Sequence, residues 1–288
     1  MSKAPQIWIN GDFVSANEAQ LSVFDLGVSV GLGVFETLMA YRGVLPNFEE
    51  HLDRLENSAE LVELKLPSRE KISEVVAEVL RKNHLENSKR ARVRITLGGG
   101  EHVLTAAEVS LSVEDYLIIS AVPQSDSAEL AELAVVPMLC NEHAALAGVK
   151  STSYAENILA YRHAAKLGAD EAVMLNTSEN LCECAMANLF LVKDGKVLTP
   201  SLASGCLPGV TRQIVIQLCQ ENSIAYTECD LSENDLRSAD EIFITSSARE
   251  IQAAKMLGSD LLCSGEITQR LSLAYNDYIS KKVENGAE

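Results

Sequence analysis

The sequence predicts an α+β fold in two lobes, on three observations. The chain has 288 residues, against roughly 150 for a typical domain. Strand-type and helix-type hydrophobic periods are interspersed along it without an internal repeat. A polar, turn-rich run, Gln124-Ser125-Asp126-Ser127, follows Pro123 near the middle and reads as a linker. These observations place a small N-terminal domain over residues 1–123 and a larger C-terminal domain over residues 124–288.

In chain order, Gln6 to Ile9 and Asp12 to Val14 carry strand signals and are joined by Asn10-Gly11, a strong two-residue hairpin signal. The segment Gly31 to Tyr41, the pair Arg42-Gly43 and Val44-Leu45-Pro46 read as a second hairpin. Leu52, Leu55, Ala59 and Val62 keep helical spacing within Phe48 to Val62, and Ser68 to Leu80 repeats the pattern after Pro67. Arg92 to Leu97 and Asp115 to Val122 are strand-like. The second half offers strands at Leu133 to Pro137, Glu171 to Leu175, Cys182 to Ala187, Leu189 to Val192, Lys196 to Leu198 and Glu241 to Thr245. Helices are expected over Tyr154 to Leu167, after Pro208-Gly209, after Ser232, whose Asp235 resembles a capping box, and from Ile267.

Composition excludes several classes. With 47% hydrophobic, 23% charged and 5% aromatic residues, the chain is neither disordered nor a low-complexity scaffold. Lys plus Arg number 24 against 41 Asp plus Glu, a formal charge of −17 that repels a phosphate backbone and argues against a nucleic-acid partner. No apolar run approaches the roughly 18 residues of a membrane span, and Met1-Ser2-Lys3-Ala4-Pro5 lacks the apolar core of a signal peptide, so a cytoplasmic location is expected. The 7 cysteines lack framework spacing. Strand alternation would turn Cys182 and Cys184 to one face as small core residues, so neither a disulfide nor a metal site is assigned. The five histidines, His51, His84, His102, His143 and His163, show no metal-ligand spacing, and no nucleophile elbow, P-loop or complete dinucleotide fingerprint is present.

Several segments carry possible chemistry. Gly205-Cys206-Leu207-Pro208-Gly209-Val210-Thr211-Arg212 runs from a Gly/Pro loop into a helix, whose first N–H groups suit a phosphate; a simple helix start explains it equally. Thr245-Ser246-Ser247-Ala248 puts three hydroxyls at a strand's C-terminal end, as a ligand loop or as a Ser/Thr turn. Arg54 is a phosphate partner or a solvated ion pair with Asp53 and Glu56. Lys150 follows the uncharged stretch Ala144 to Val149, where partial burial would lower its pKa and make its amine a Schiff-base nucleophile; a plain surface lysine is the alternative. Glu183, between two cysteines, needs a positive or hydrogen-bonding partner, unless it is exposed at a strand end.

Taken together, the ordered segments Gly33-Val34-Phe35-Glu36-Thr37, His51-Leu52-Asp53-Arg54-Leu55, Lys150-Ser151-Thr152-Ser153-Tyr154, Glu183 through Asn188-Leu189-Phe190, and Leu207 through Arg212 resemble the class IV aminotransferases. The resemblance implies the fold-type IV architecture, a small α/β domain followed by a larger one with a barrel-like core. It implies pyridoxal 5′-phosphate held by Lys150 as an internal aldimine, with Glu183 at the pyridine nitrogen and Leu207 under the ring. Arg54, Val210, Thr211 and Ser247 would hold the phosphate, and Phe35, Thr37, Arg94, Tyr154, Ser246 and Ala248 would line the substrate side. It also implies a homodimer.

The activity so implied is transfer of the amino group of a small amino acid, branched-chain ones included, to a 2-oxo acid such as 2-oxoglutarate or pyruvate. The same family contains 4-amino-4-deoxychorismate lyases, whose signature Phe35-Glu36-Thr37 resembles. Leu97 stands where the lyase and D-amino acid groups commonly place an arginine, while Arg94 falls near a branched-chain enzyme's arginine and Met39 replaces another of them. A catalytically silent binding homologue would lack Lys150 or the phosphate loop, and both are present.

Overall fold

A computed structural model describes residues 4–101, 115–259 and 265–286. His102 and Cys263 lie outside the described residues. The chain forms two compact units, each described by itself: one of Met1–Ser125, Val149–Tyr154 and Lys282–Glu288, the other of Asp126–Gly148 and Ala155–Lys281.

The first unit is built on a five-stranded antiparallel sheet. Its strands are β1 (Gln6–Ile9), β2 (Asp12–Ser15), β3 (Gly33–Ala40), β4 (Ala91–Gly98) and β5 (Tyr116–Pro123), in the order β2-β1-β5-β4-β3. Asn10 and Gly11 close the first hairpin with φ of 46° and 110°, the positive values that a tight two-residue turn demands. Helix α1 (Leu26–Ser29) is a single turn that the sequence reading missed, because its only signal is Asp25, whose side chain accepts from Val28 N at 2.9 Å. Helices α2 (Phe48–Leu61) and α3 (Arg69–Lys82) pack on the sheet, α2 against β3 and α3 against β1 and β5. Their apolar stripes meet the sheet in one core containing Leu52, Leu55, Val76, Val79, Leu38 and Ile95.

The expected hairpin after β3 is only partly formed. Arg42 and Gly43 make the turn, with φ of 49° and 82°, but the return arm is a single bridge, Tyr41 to Val44. The full-length partner of β3 is β4, paired from Gly33 with Gly98 to Ala40 with Ala91. Asn47 at the start of α2 cuts the return arm short.

In the second unit eight strands form one curled sheet, a half-barrel. They are β6 (Leu130–Cys140), β7 (Glu171–Asn176), β8 (Leu181–Cys184), β9 (Asn188–Lys193), β10 (Lys196–Pro200), β11 (Tyr226–Cys229), β12 (Glu241–Ser246) and β13 (Glu250–Met256). Their order is β11-β10-β9-β12-β13-β6-β7-β8, and the curl brings β8 at one end against β9 and β10. Helix α4 (Ala155–Leu167) lies between the parallel strands β6 and β7 in sequence and lays Ala160 and Ala164 on them. Small side chains allow that close approach. Helix α5 (Val210–Glu221) packs on β11 and β12, and α6 (Glu233–Arg237) starts in the expected capping box, Ser232 with Asp235. The last helix is α7 (Glu266–Asn285). No helix among the described residues is long and apolar enough to cross a membrane.

Two details depart from the sequence reading. The strand expected over Cys182 to Ala187 ends at Cys184, and the chain turns there into β9. The β7–β8 register shifts between Met174 and Leu175, so that Leu175 faces Leu181 and Met174 faces Glu183, which makes Cys182 the extra residue of a bulge. Both cysteines are buried, yet only Cys184 joins the inner core with Leu133, Leu189 and Ile244. Strict alternation does not hold across a bulge.

Candidate active site

Lys150 is held by the edge of the first sheet. Phe35 N donates to Lys150 O at 2.9 Å, Thr152 N donates to Gly33 O at 2.8 Å, and Ser151 bridges Val34, so residues 150–152 act as a short additional strand on β3. A side chain at Gly33 would put its Cβ 2.7 Å from Leu97 O and 2.8 Å from Thr152 Oγ1, so only glycine admits this close pairing.

The amine of Lys150 lies 4.6 Å from the centre of the Phe35 ring and 5.7 Å from that of Tyr154. These rings meet edge to face at 5.5 Å, and the Arg94 guanidinium lies 3.7 Å from the Phe35 centroid. Lys150 is half-buried, as expected, but the stretch proposed to bury it is a surface turn with Ala144, Ala145 and Leu146 exposed. The aromatic pair shelters it instead. Thr37 pairs with Arg94 across β3 and β4.

Arg54, on α2, engages Glu36 on β3, while its helix neighbours Asp53 and Glu56 engage Arg69. Its Nε and Nη2 donate to the two carboxylate oxygens of Glu36 at 2.7 and 2.8 Å, and His51 Nδ1 lies 2.8 Å from the second oxygen. Glu36 is fully buried, on the face of β3 that also carries Val34 and Leu38 into the core. Burial pushes its pKa up, but the Arg54 charge and the hydrogen bonds from His51 and Arg54 outweigh this and hold it at about 2. Glu36 stands within the first sequence motif, where its residue type alone assigns it no role. Strand alternation with Val34 and Leu38 was the available signal that this carboxylate faces inward.

In the second unit, Glu183 finds its partners in the backbone and an amide. Its Oε2 accepts from Leu207 N at 3.1 Å and from Asn188 Nδ2 at 3.0 Å, and Asn188 Nδ2 also donates to Leu207 O at 2.9 Å. Asn188 was not singled out as a functional residue, although it opens β9 inside a quoted motif. Gly209 is needed beside it: a Cβ there would fall 2.0 Å from Asn188 Oδ1. Gly209 is also the N-cap of α5 and supplies no side chain to cap the amides that follow, among them those of Val210 and Thr211. Arg212 is turned to other work, donating to Pro200 O at 2.9 Å and pairing with Glu228.

The hydroxyl loop is shorter than expected. Thr245 is buried within β12, and Ser246 is still paired, with Glu250, so the connection to β13 is Ser247, Ala248 and Arg249. Ser246 Oγ accepts from Arg249 N, three residues on, at 3.2 Å, and the Arg249 guanidinium donates to Gln252 and to the buried Glu171 at 2.8 and 3.1 Å. Burial pushes the Glu171 pKa up, against the Arg249 charge. The packing of α5 on β12 carries both the amide-rich helix start and the strand that leads into this turn.

Residues 33–256 match the family model for amino-transferase class IV. The chain belongs to the class IV aminotransferases. A Methanocaldococcus jannaschii protein provisionally named a branched-chain-amino-acid aminotransferase is 33% identical over 280 residues, covering 96% of this chain and 97% of the relative. A D-alanine aminotransferase of Staphylococcus haemolyticus is 27% identical over 287 residues, 96% of this chain and 99% of the relative. The crystal structure of the T.th. branched-chain amino acid aminotransferase complexed with N-(5′-phosphopyridoxyl)-L-glutamate superposes with a TM-score of 0.88 at 26% identity, over 98% of this chain and 96% of that one. The mixed helix-and-sheet architecture of this aminotransferase, with its eight-stranded half-barrel, is thus the fold-type IV one.

Proposed function

We propose that this aminotransferase moves the amino group of a branched-chain or similarly small amino acid to a 2-oxo acid, using pyridoxal 5′-phosphate. The observation that carries the proposal is Lys150, its backbone bonded to β3 and its amine set against Phe35 and Tyr154 with Arg94 on the Phe35 ring. The chain's residues meet the needs of the cofactor. A sheltered amine is available for its carbonyl carbon. Glu183, oriented by Leu207 N and Asn188, is an acceptor suited to a protonated ring nitrogen, and the uncapped start of α5 at Val210 and Thr211 suits a phosphate dianion. Leu207, Ser247 and Arg54 would complete the contacts.

When bound, the cofactor supplies an electron sink for the pair left at the substrate Cα. Lys150 Nζ, once free of it, would take the Cα proton and deliver it to the cofactor carbon that had been its carbonyl, the general acid/base task of the chain. Phe35 and Tyr154 give apolar surface to an aliphatic side chain, while Arg94 offers a guanidinium for the substrate carboxylate. Thr37, Ser246 and Ala248 would border the same substrate. The relatives' names favour branched-chain substrates and keep D-alanine as the competing donor.

The test is to mix the yellow holoenzyme with single amino acids and follow the cofactor absorbance. L-Leucine, L-isoleucine and L-valine are expected to convert it to the aminated form, and 2-oxoglutarate to restore it. Lys150→Ala is expected to cost about 10²- to 10⁴-fold in rate. Conversion by D-alanine alone would replace the branched-chain reading, and release of pyruvate from 4-amino-4-deoxychorismate would replace transamination with the lyase reaction. We also propose a homodimer, since Val23, Phe24, Val28 and Val30 in one stretch are 54–76% exposed. Sedimentation at twice the 31.2 kDa chain mass would support it.

A further inference from the structure

We infer that Glu36 is a positioning residue for cofactor capture: from beneath β3 it locks the Arg54 guanidinium in the orientation that meets the phosphate. The inference rests on the reading of Arg54 as a phosphate ligand. The carboxylate takes the Nε–Nη2 edge of the guanidinium with both of its oxygens, at 2.7 and 2.8 Å. A guanidinium gripped along that edge cannot turn about its last torsion, and its Nη1 donors point away from Glu36. The exposures agree with this direction, since Glu36 is 0% and Arg54 12% exposed. His51 holds the second carboxylate oxygen at 2.8 Å, so the clamp is itself fixed from another point of α2.

The cost of the arrangement argues for a task beyond packing. Glu36 shares its strand face with Val34 and Leu38, and a buried ion pair at such a position adds little net stability compared with well-packed apolar side chains. It does add directionality, because the fork has one geometry. The opposing expectation is electrostatic. A carboxylate next to Arg54 also cancels part of the charge that attracts a phosphate, and if that effect ruled, removing it would tighten binding.

Pyridoxal 5′-phosphate and pyridoxal differ only by the phosphate, and this separates positioning from general damage. The full chain, depleted of cofactor, is titrated with each compound, and adduct formation is read from its absorbance. Glu36→Gln is expected to weaken the phosphate form about tenfold and pyridoxal less than about twofold, the loss of one charge-assisted contact. Arg54→Gln is expected to show the same selective loss.

If Arg54→Gln is selective while Glu36→Gln is not, or Glu36→Gln tightens the phosphate form, the positioning role is overturned. If Arg54→Gln weakens both compounds equally, the phosphate reading of Arg54 fails instead. Should Glu36→Gln not fold, Glu36→Asp keeps the charge and shortens the reach by one methylene. It is expected to weaken the phosphate form selectively, and an unselective response would overturn the role.

Discussion

At the residue scale, Glu36 ties chemistry to stability. Its carboxyl is held at about 2 in the folded chain against an ordinary 4.5. A depressed carboxyl pKa contributes stability above the unfolded value, and that contribution is lost as the pH falls from 4.5 toward about 2. Glu36→Gln removes it at neutral pH, so the gap between wild type and variant is expected to narrow on acidification. Urea midpoints measured near pH 6 and near pH 3 would show this, and an unchanged gap would count against it. The same residue marks the limit of reading single positions. Lys150, Glu183 and Arg54 stand out as candidates because each is a charged residue in an ordered motif. Their partners do not, since Glu36, Asn188 and the Leu207 amide are set by register and loop closure, which act across long stretches of chain.

Elements were legible where one period dominates. α2, α3 and the alternating β4 lie within a residue or two of their expected bounds, and α5 starts directly after Pro208-Gly209. β13 was missed because Glu250–Met256 is rich in Gln, Ala, Lys and Met, which favour helices; pairing with β12 and β6 on both edges overrides that preference. β11 was missed for another reason, since a short strand on a sheet edge with none of its residues buried carries little pattern. The junction of β3 with residues 150–152 gives a test at this scale. Gly33→Ala is expected to force them apart through the contacts with Leu97 O and Thr152 Oγ1 and to destabilise by about 1–3 kcal/mol. Activity should fall by more than that stability loss explains, which thermal unfolding and turnover measured on one preparation would establish.

For the whole molecule, the formal charge of −17 and the isoelectric point near 4.7 set the solution behaviour. Like-charge repulsion opposes non-specific aggregation at neutral pH and vanishes near the isoelectric point, so light scattering is expected to rise steeply as the pH approaches 4.7. Scattering that stays flat through that pH would contradict this. The mixed class was readable from the interspersed helix and strand periods. The curl of the second sheet was not, because it depends on the order of eight strands, three of whose pairings are parallel.

The backbone bonds at the Lys150 carbonyl and at the Thr152 N–H have a mechanical meaning. With its main chain pinned to β3 through Phe35 and Gly33, only the flexible methylene stem can travel, so the amine sweeps an arc about a stationary hinge. Under the proposed role of Lys150, proton delivery by such a tether would call on side-chain rotamers and leave the backbone of residues 150–152 in place.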